Sequence, residues 1–202
     1  MDPIPTFPVS LPLAFFPLST DRTYTLAEFE AFAFSNKELF IERENDGRIS
    51  VLLPVGGGVG HAQAQFIASL TLHARQTGGQ SQSSRMGYLL PDTSLRMCGA
   101  SYISPERLRV IKGQDLSHFF PLVPDFIVEV VSVIRPLQHW HHRIAASWIA
   151  NGVRLAWLAD VDNDRLWIYR ADHSVELVTP LNRTIDGEDV LPGFTFDLNL
   201  LS

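Results

Sequence analysis

The 202-residue sequence has a single cysteine, Cys98, which excludes an internal disulfide and the disulfide-rich class of small secreted proteins. Basic residues are also scarce. The 16 Lys and Arg against 22 Asp and Glu give a formal net charge of −6, which excludes a broadly basic, histone-like nucleic-acid binder. A local basic groove or a site for a divalent cation stays compatible with this charge. The chain is 46% hydrophobic and 19% charged, as is typical of one globular domain.

The first 20 residues are apolar but have the features of neither a signal peptide nor a membrane helix. Asp2 stands where a signal peptide would carry a basic residue. Five prolines interrupt any helix there: Pro3, Pro5, Pro8, Pro12 and Pro17. We therefore expect a proline-rich arm over residues 1–22, a single domain over 23–202, a cytoplasmic protein and no membrane partner.

Helix and strand signals alternate irregularly along the rest of the chain. Thr25 followed by Glu28 is a capping-box pattern, which predicts the start of a helix. The Asp46-Gly47 pair separates two strand-like runs, 39–44 and 48–54, and predicts a β-hairpin. The further predicted elements are a helix over 61–77, strands over 83–90, 94–103, 125–131 and 175–178, a helix over 137–151, a hairpin of 154–159 with 165–170, and a closing segment from Leu191. This order predicts a mixed α/β fold rather than a regular βαβ winding or an all-β sandwich.

Glu129 is the most informative single position, because it is the only acid inside the apolar run 126–131. An ionised carboxylate in such surroundings is costly unless it is paired or bound to a metal ion. Two interpretations stay open on the pattern alone. Glu129 belongs to a functional site, or it points to a wet edge of the sheet or bonds a neighbouring arginine.

Glu42 lies in the first predicted hairpin. Strand alternation places Phe40, Glu42 and Glu44 on one face, and Ile41 and Arg43 on the other. Taken alone, the local pattern favours a solvated hairpin face over a functional site.

Three other features receive structural interpretations. The glycine run at 56–60 lacks the Gly-Lys-Ser/Thr ending of a phosphate-binding loop, so we interpret it as a flexible connection. His139 and His142 share one helix face and His141 is turned away, but the metal-binding His-Glu-x-x-His spacing is missing, which favours a surface histidine cluster. We interpret Cys98 as a small hydrophobic residue of a strand.

Seven segments, each too weak to identify a family alone, form a specific pattern when they are taken together. They are 24–29 (YTLAEF), the hairpin 41–47, the glycines at 56–57, 101–108 (SYISPERL), 124–129 (PDFIVE), 151–158 (NGVRLAWL) and 190–194 (VLPGF). In this order and at these intervals they resemble the Uma2 (Uma-two) family of restriction endonucleases, a branch of the PD-(D/E)XK nuclease superfamily. The resemblance implies a PD-(D/E)XK nuclease-like mixed β-sheet flanked by helices, and it extends from Tyr24 to Leu200.

The resemblance also implies which residues form the active site. In the family, an acid of the hairpin, an Asp of a Pro-Asp pair and a Glu on the next central strand hold a divalent cation, and a helix Lys completes the site. Glu42 matches the hairpin acid and Glu129 the strand Glu, whereas Gly99 stands at the position of the Asp. Counting back from 151–152, the Lys position falls on Ile144, with Arg143 adjacent. The catalytic residues implied are therefore Glu129, Glu42 and Arg143, with Glu129 and Glu42 as metal ligands.

These departures lead to two expectations about function. The first is an endonuclease that hydrolyses phosphodiester bonds of DNA with Mg²⁺ or Mn²⁺, impaired by the loss of the Asp and the Lys. The second is a catalytically inactive nuclease-fold protein that binds nucleic acid or protein. Asp92 and Asp125 are the acids considered as substitutes for the missing ligand, and related proteins suggest a homodimer.

Overall fold

A computed structural model describes residues 22–113 and 118–201 of the chain. The predicted arm over 1–22 lies outside the described residues, apart from Arg22. Within the described part, no helix is long and apolar enough to cross a membrane. The predicted cytoplasmic location and homodimer stay predictions.

The chain folds into helices and sheets in mixed order, which confirms the predicted α/β class. The helices are α1 (Leu26–Ser35), α2 (Gly57–Thr77), α3 (Pro105–Val110) and α4 (Leu137–His142), the last of which continues as a π-helical turn (Arg143–Trp148) and a 3₁₀ turn (Ile149–Asn151). The strands are β1 (Ile41–Arg43), β2 (Ile49–Val51), β3 (Gln80–Gln82), β4 (Tyr88–Leu89), β5 (Leu95–Arg96), β6 (Ala100–Ile103), β7 (Phe126–Val130), β8 (Leu155–Asp160), β9 (Arg165–Arg170), β10 (Val175–Val178), β11 (Thr184–Gly187) and β12 (Leu191–Asp197).

The largest sheet has six strands in the order β10-β9-β8-β7-β6-β3. Strand β7 pairs in parallel with β8 and antiparallel with β6, and all five of its residues are buried. Helix α2 covers one face of this sheet, where Phe66 packs against Trp157 and Phe196. The helix that begins with α4 covers the other face through Ile144, Trp148 and Ile149. Strand β7 is therefore the central strand that its apolar sequence predicts.

A smaller sheet, β2-β1-β5-β4, carries the first hairpin, and β11 with β12 forms a third. Helix α1 packs beside the hairpin through Phe29 and Phe32, which are buried together with Ile41. The predicted capping box at the start of α1 is present: Thr25 and Glu28 bond each other's backbone N–H groups. These contacts hold the hairpin against the body of the protein.

The structure differs from the sequence-based expectations at three places. The glycine run is not a separate connection, since α2 already begins at Gly57, and its glycine Cβ positions face open space. The strand expected over 83–90 is shortened to β4, because a turn occupies residues 84–85, and the strand expected over 94–103 is divided into β5 and β6. Strand β11 was not anticipated, since its sequence has no alternating apolar pattern.

Candidate functional site

Glu42 lies on β1 and points into a cleft between the hairpin sheet and the helix that begins with α4. The predicted alternation is confirmed. Phe40 and Glu44 line the same cleft, whereas Arg43 faces the opposite side and donates hydrogen bonds to the carbonyl of Tyr24 and to Thr93. The solvated-face interpretation of Glu42 is wrong, because the residue is only 1% exposed.

Glu129 reaches the same cleft from the central strand β7. Its neighbours Val128 and Val130 point toward α2, so strand alternation turns Glu129 toward the opposite layer. There its Oε1 atom accepts a hydrogen bond of 3.1 Å from the indole N–H of Trp148. Glu129 is therefore a buried acid inside a cleft, with a fixed orientation.

Arg143 lies between these two glutamates and binds both. Its two terminal nitrogens donate hydrogen bonds of 2.7 Å to the two oxygens of Glu42, and its Nε donates one of 2.8 Å to Glu129. A further bond goes to the backbone carbonyl of Met97. Arg143 is only 8% exposed, and this bidentate, charge-assisted geometry is the strongest form of arginine–carboxylate pairing.

A second arginine extends the network toward the cleft mouth. Arg96 donates to Glu42 over 3.3 Å and also bonds Glu44, which accepts from the Ser50 hydroxyl. The backbone N–H of Met97 donates to Glu42 over 2.6 Å. Both oxygens of Glu42 are thus already bonded to protein donors.

The pKa values of Glu42 and Glu129 are shifted in opposite directions. Burial acts to raise the pKa of Glu42, but the charge and hydrogen bonds of Arg143, followed by Arg96 and Met97, outweigh it and hold that pKa below its ordinary value. Burial raises the pKa of Glu129, and the Glu42 charge adds to the effect, so the charge and the single hydrogen bond of Arg143, with the bond from Trp148, offset it only in part. One guanidinium therefore neutralises Glu42 more fully than Glu129.

The direction of Arg143 depends on a π-helical turn. In the segment Arg143–Trp148, the N–H of Ile149 bonds the carbonyl of Ile144, five residues back, in addition to that of Ala145, four residues back. A turn of this kind accommodates an extra residue and is frequent at functional sites. It places Arg143 in the cleft while Ile144 is fully buried in the core. Of the two candidates for the helix Lys position, the structure brings Arg143 to the glutamates.

Gly99 leaves no room for the acid that the family resemblance implies at this position. A Cβ atom there would lie 2.9 Å from the carbonyl oxygen of Val128, and 3.3 Å from the side chain of Gln63. A contact of 2.9 Å with backbone would require the strands to shift. The sequence therefore lacks this ligand, and neighbouring atoms occupy the space that its side chain would need.

A divalent cation does not fit between Glu42 and Glu129 as these residues stand. The guanidinium of Arg143 already bonds both carboxylates, and hard cations need several free oxygen ligands. Among residues 22–113 and 118–201, no group of three or more His, Cys, Asp or Glu is placed to hold a metal ion. The roles of Glu42 and Glu129 as metal ligands stay predictions from the resemblance.

Asp125 and Asp92, the two acids considered as substitutes for the missing ligand, bond other groups of the protein. Asp125 accepts from the backbone N–H of Ser104 and pairs with Arg107 at 3.0 Å, and it does not line the cleft. Asp92 does line the cleft, but one of its oxygens accepts from both the backbone and the hydroxyl of Ser94. Neither acid contacts the Arg143 network.

The remaining candidates divide as the helix periodicity predicts. His139 and His142 line the cleft, whereas His141 is turned away and bonds the hydroxyl of Tyr169. Burial, followed by the charges of Arg135 and Arg143, lowers the pKa of His139. Cys98 is buried as expected, and burial, with the nearby Glu129 charge, raises its pKa well above the ordinary thiol value, which makes it a poor nucleophile.

The cleft around this network has a volume of about 680 Å³. Its walls carry five arginines and four carboxylates, although the chain as a whole has a net charge of −6. The inner part is the Arg143 network, and the outer rim carries Arg48, Arg85 and Arg135. Sequence reasoning missed these rim arginines, because each stands alone in its segment and only the fold brings them together.

The fold defines the class of this protein as a nuclease-like α/β protein. A crystal structure of a putative nuclease belonging to DUF820 from Anabaena variabilis matches it with a TM-score of 0.72 and 16% sequence identity, over 88% of this chain and 97% of that chain. The model of the family Uma2, described as "putative restriction endonuclease", matches residues 26–200. The chain belongs to the Uma2 family. No curated protein matches it in sequence.

Proposed function

We propose that this Uma2 protein binds DNA in its cleft without metal-dependent cleavage, with the guanidinium of Arg143 at the place that the resemblance assigns to a divalent cation. The observation that carries the proposal is the set of hydrogen bonds from Arg143 to Glu42 and Glu129. The Arg143 guanidinium is an internal counter-ion shared by two buried carboxylates, which would otherwise lack their main charged partner.

The chemistry of the two cations supports this proposal. A divalent ion in a nuclease polarises the scissile phosphate and lowers the pKa of a bound water. A guanidinium lowers no water pKa by coordination, and that of Arg143 is buried with its donors directed at protein oxygens. Gly99 further removes one of the carboxylates that a hard cation would need. The site therefore lacks the means to generate a hydroxide nucleophile by metal coordination.

The arginines of the outer rim support the proposal that the cleft binds DNA. Arg85 and Arg135 are exposed, and within the described part of the chain neither has a carboxylate partner. Arg48 is exposed as well, although it pairs with Asp46 at 2.7 Å. Exposed arginines around a cleft bind phosphates and give an affinity that falls with salt.

The test combines cleavage and binding assays on the purified full-length protein. We expect no nicking of supercoiled plasmid in Mg²⁺ or Mn²⁺, and we expect salt-dependent binding of fluorescein-labelled DNA by anisotropy. Replacing both Arg85 and Arg135 by Gln should weaken binding about tenfold. Arg109→Gln is the matched control, because Arg109 is exposed on α3, outside the cleft.

Two results would contradict the proposal. Nicking in Mn²⁺ by the wild type, but not by Glu129→Gln, would identify an active metal-dependent endonuclease. Unchanged DNA binding after the Arg85 and Arg135 substitutions would show that the cleft is not the DNA-binding site. Nicking by the wild type and Glu129→Gln alike would indicate a contaminating nuclease, and the assay would be repeated on repurified protein.

A further inference from the structure

One wall of the cleft is apolar and exposed to solvent. Five side chains between 36% and 61% exposed line it: Phe40, Val51, Leu53, Val55 and Ile134. The first four belong to the hairpin or the segment after it, and Ile134 faces them from the segment before α4. An exposed apolar wall inside a cleft marks a surface that binds an apolar or aromatic group.

The rim arginines stand beside this wall. The guanidinium of Arg85 lies 4.3 Å from the ring centroid of Phe40, as a cation–π pair. Arg135 is next to Ile134 in sequence, and Arg48 lies in the hairpin itself. The cleft thus offers an aromatic and aliphatic surface together with cations, which matches the base and the phosphate of one nucleotide.

From this arrangement we infer that the cleft binds unpaired nucleotides of a single-stranded polynucleotide in preference to a duplex. This inference rests on the proposed function and specifies its ligand. In a duplex the bases are stacked inside and the phosphates lie outside, so only the rim arginines would find partners. In a single strand, a base can stack on Phe40 while its phosphate reaches Arg85.

The size of the cleft agrees with this ligand. A volume of about 680 Å³ lies within the range of small-molecule pockets, which accommodate one or a few nucleotides. Glu42 and Glu129, both bonded to Arg143, form the floor of the cleft. The Arg143 donors point at these protein oxygens and not at a bound phosphate. A strand can therefore lie over the Arg143 network without meeting a metal ion.

Fluorescence anisotropy with the full-length protein tests this inference. The probes are a labelled 12-nucleotide DNA, an RNA of the same sequence, a blunt duplex of that sequence and an abasic DNA strand of equal length. We expect the DNA and RNA strands to bind about tenfold more tightly than the duplex and the abasic strand. For the single strand, log K should fall with log salt with a slope of about −1.4 to −2, as two or three phosphate contacts predict.

A matched pair of aromatic substitutions separates stacking from charge. Phe40→Ala should weaken single-strand binding about tenfold and leave duplex binding unchanged, and Phe40→Tyr should retain the affinity. Phe34→Ala is the control, since Phe34 is 39% exposed against 36% for Phe40 but lies on α1, outside the cleft. Thermal melting by circular dichroism establishes that each variant is folded before its affinity is compared.

The possible failures are distinguishable. Equal or tighter binding of the duplex, or an abasic strand that binds as well as DNA, would overturn the single-strand inference and leave the proposed DNA binding intact. The same holds if Phe40→Ala weakens both forms alike. Absence of binding to every probe would overturn the inference and the proposed function together.

Discussion

Arg143 holds Glu42 through two parallel hydrogen bonds of 2.7 Å, in an interior where Glu42 is only 1% exposed. The pair joins β1 of the hairpin sheet to the helix that begins with α4, and Nε of the same guanidinium extends the link to the central strand β7. Three separate elements therefore meet at one planar cation. The site is a structural joint as well as the floor of the cleft.

The first prediction concerns the stability of this joint. Arg143→Ala leaves Glu42 and Glu129 buried without their main partner, so we expect it to destabilise the fold by about 3–5 kcal/mol. Urea denaturation followed by tryptophan fluorescence measures the change. Arg109→Ala, which removes an exposed arginine, should change the stability by less than about 0.5 kcal/mol. A loss below about 1 kcal/mol for Arg143→Ala would show that the joint has little effect on folding.

The second prediction concerns divalent ions. The wild type should melt at the same temperature in EDTA, Mg²⁺ and Mn²⁺, because Arg143 already occupies the space between the carboxylates. In Arg143→Ala the two glutamates lose the guanidinium that lies between them, and Mn²⁺ should raise the melting temperature by several degrees through preferential binding to the folded state. Differential scanning fluorimetry with a metal titration measures this. Replacing Glu129 by Gln in the same variant should abolish the response.

Stabilisation of the wild type by Mn²⁺, reversed by EDTA, would contradict the assignment of Arg143 as the occupant of the cation position. A calorimetric titration would then give the number of ions bound per chain.

The sequence predicted the acids of this site better than it predicted the cation. An acid in an apolar strand is unusual enough to single out Glu129, whereas the family resemblance alone gave Glu42 a place in the site, because its local pattern favoured a solvated hairpin face. Arg143 was harder to assign, because counting back in sequence from residues 151–152 places the family's Lys position on Ile144, with Arg143 adjacent. The π-helical turn contains one more residue than an α-helical turn would, and it returns Arg143 to the site.

The charges at the cleft rim were beyond sequence reasoning for a different physical reason. Arg48, Arg85 and Arg135 lie on three separate segments, each contributes one arginine to the rim, and none of them stands in a run of consecutive basic residues. Their proximity follows from the packing of the hairpin sheet against the helix that begins with α4. Only the tertiary structure, and no local pattern, brings them to one cleft.

The third prediction concerns Gly99. Gly99→Ala and Gly99→Asp place a Cβ about 2.9 Å from the Val128 carbonyl oxygen, so we expect both to destabilise the fold by about 1–3 kcal/mol. Neither should create Mn²⁺-dependent nicking, because Arg143 remains between the glutamates. Thermal melting and the plasmid assay measure the two effects. An unchanged melting temperature together with new nicking by Gly99→Asp would show that the strands yield and that only this acid was missing.

The fourth prediction concerns the acid limb of stability. The Arg96 and Ser50 hydrogen bonds and the charge of Arg96 outweigh the effect of burial and lower the pKa of Glu44 from 4.5 to about 2. A carboxyl with a lowered folded-state pKa stabilises the fold above its unfolded value, and this contribution is lost as the pH falls from about 4.5 toward 2. Because Glu44 is partly exposed, we expect a contribution of about 1–2 kcal/mol. Urea denaturation of Glu44→Gln from pH 7 to pH 3 should therefore show a weaker dependence on pH than the wild type, with the two stabilities converging at the acid end. A difference that grows as the pH falls would assign the acid sensitivity to another group, since protonation of Glu44 makes the wild type resemble the variant.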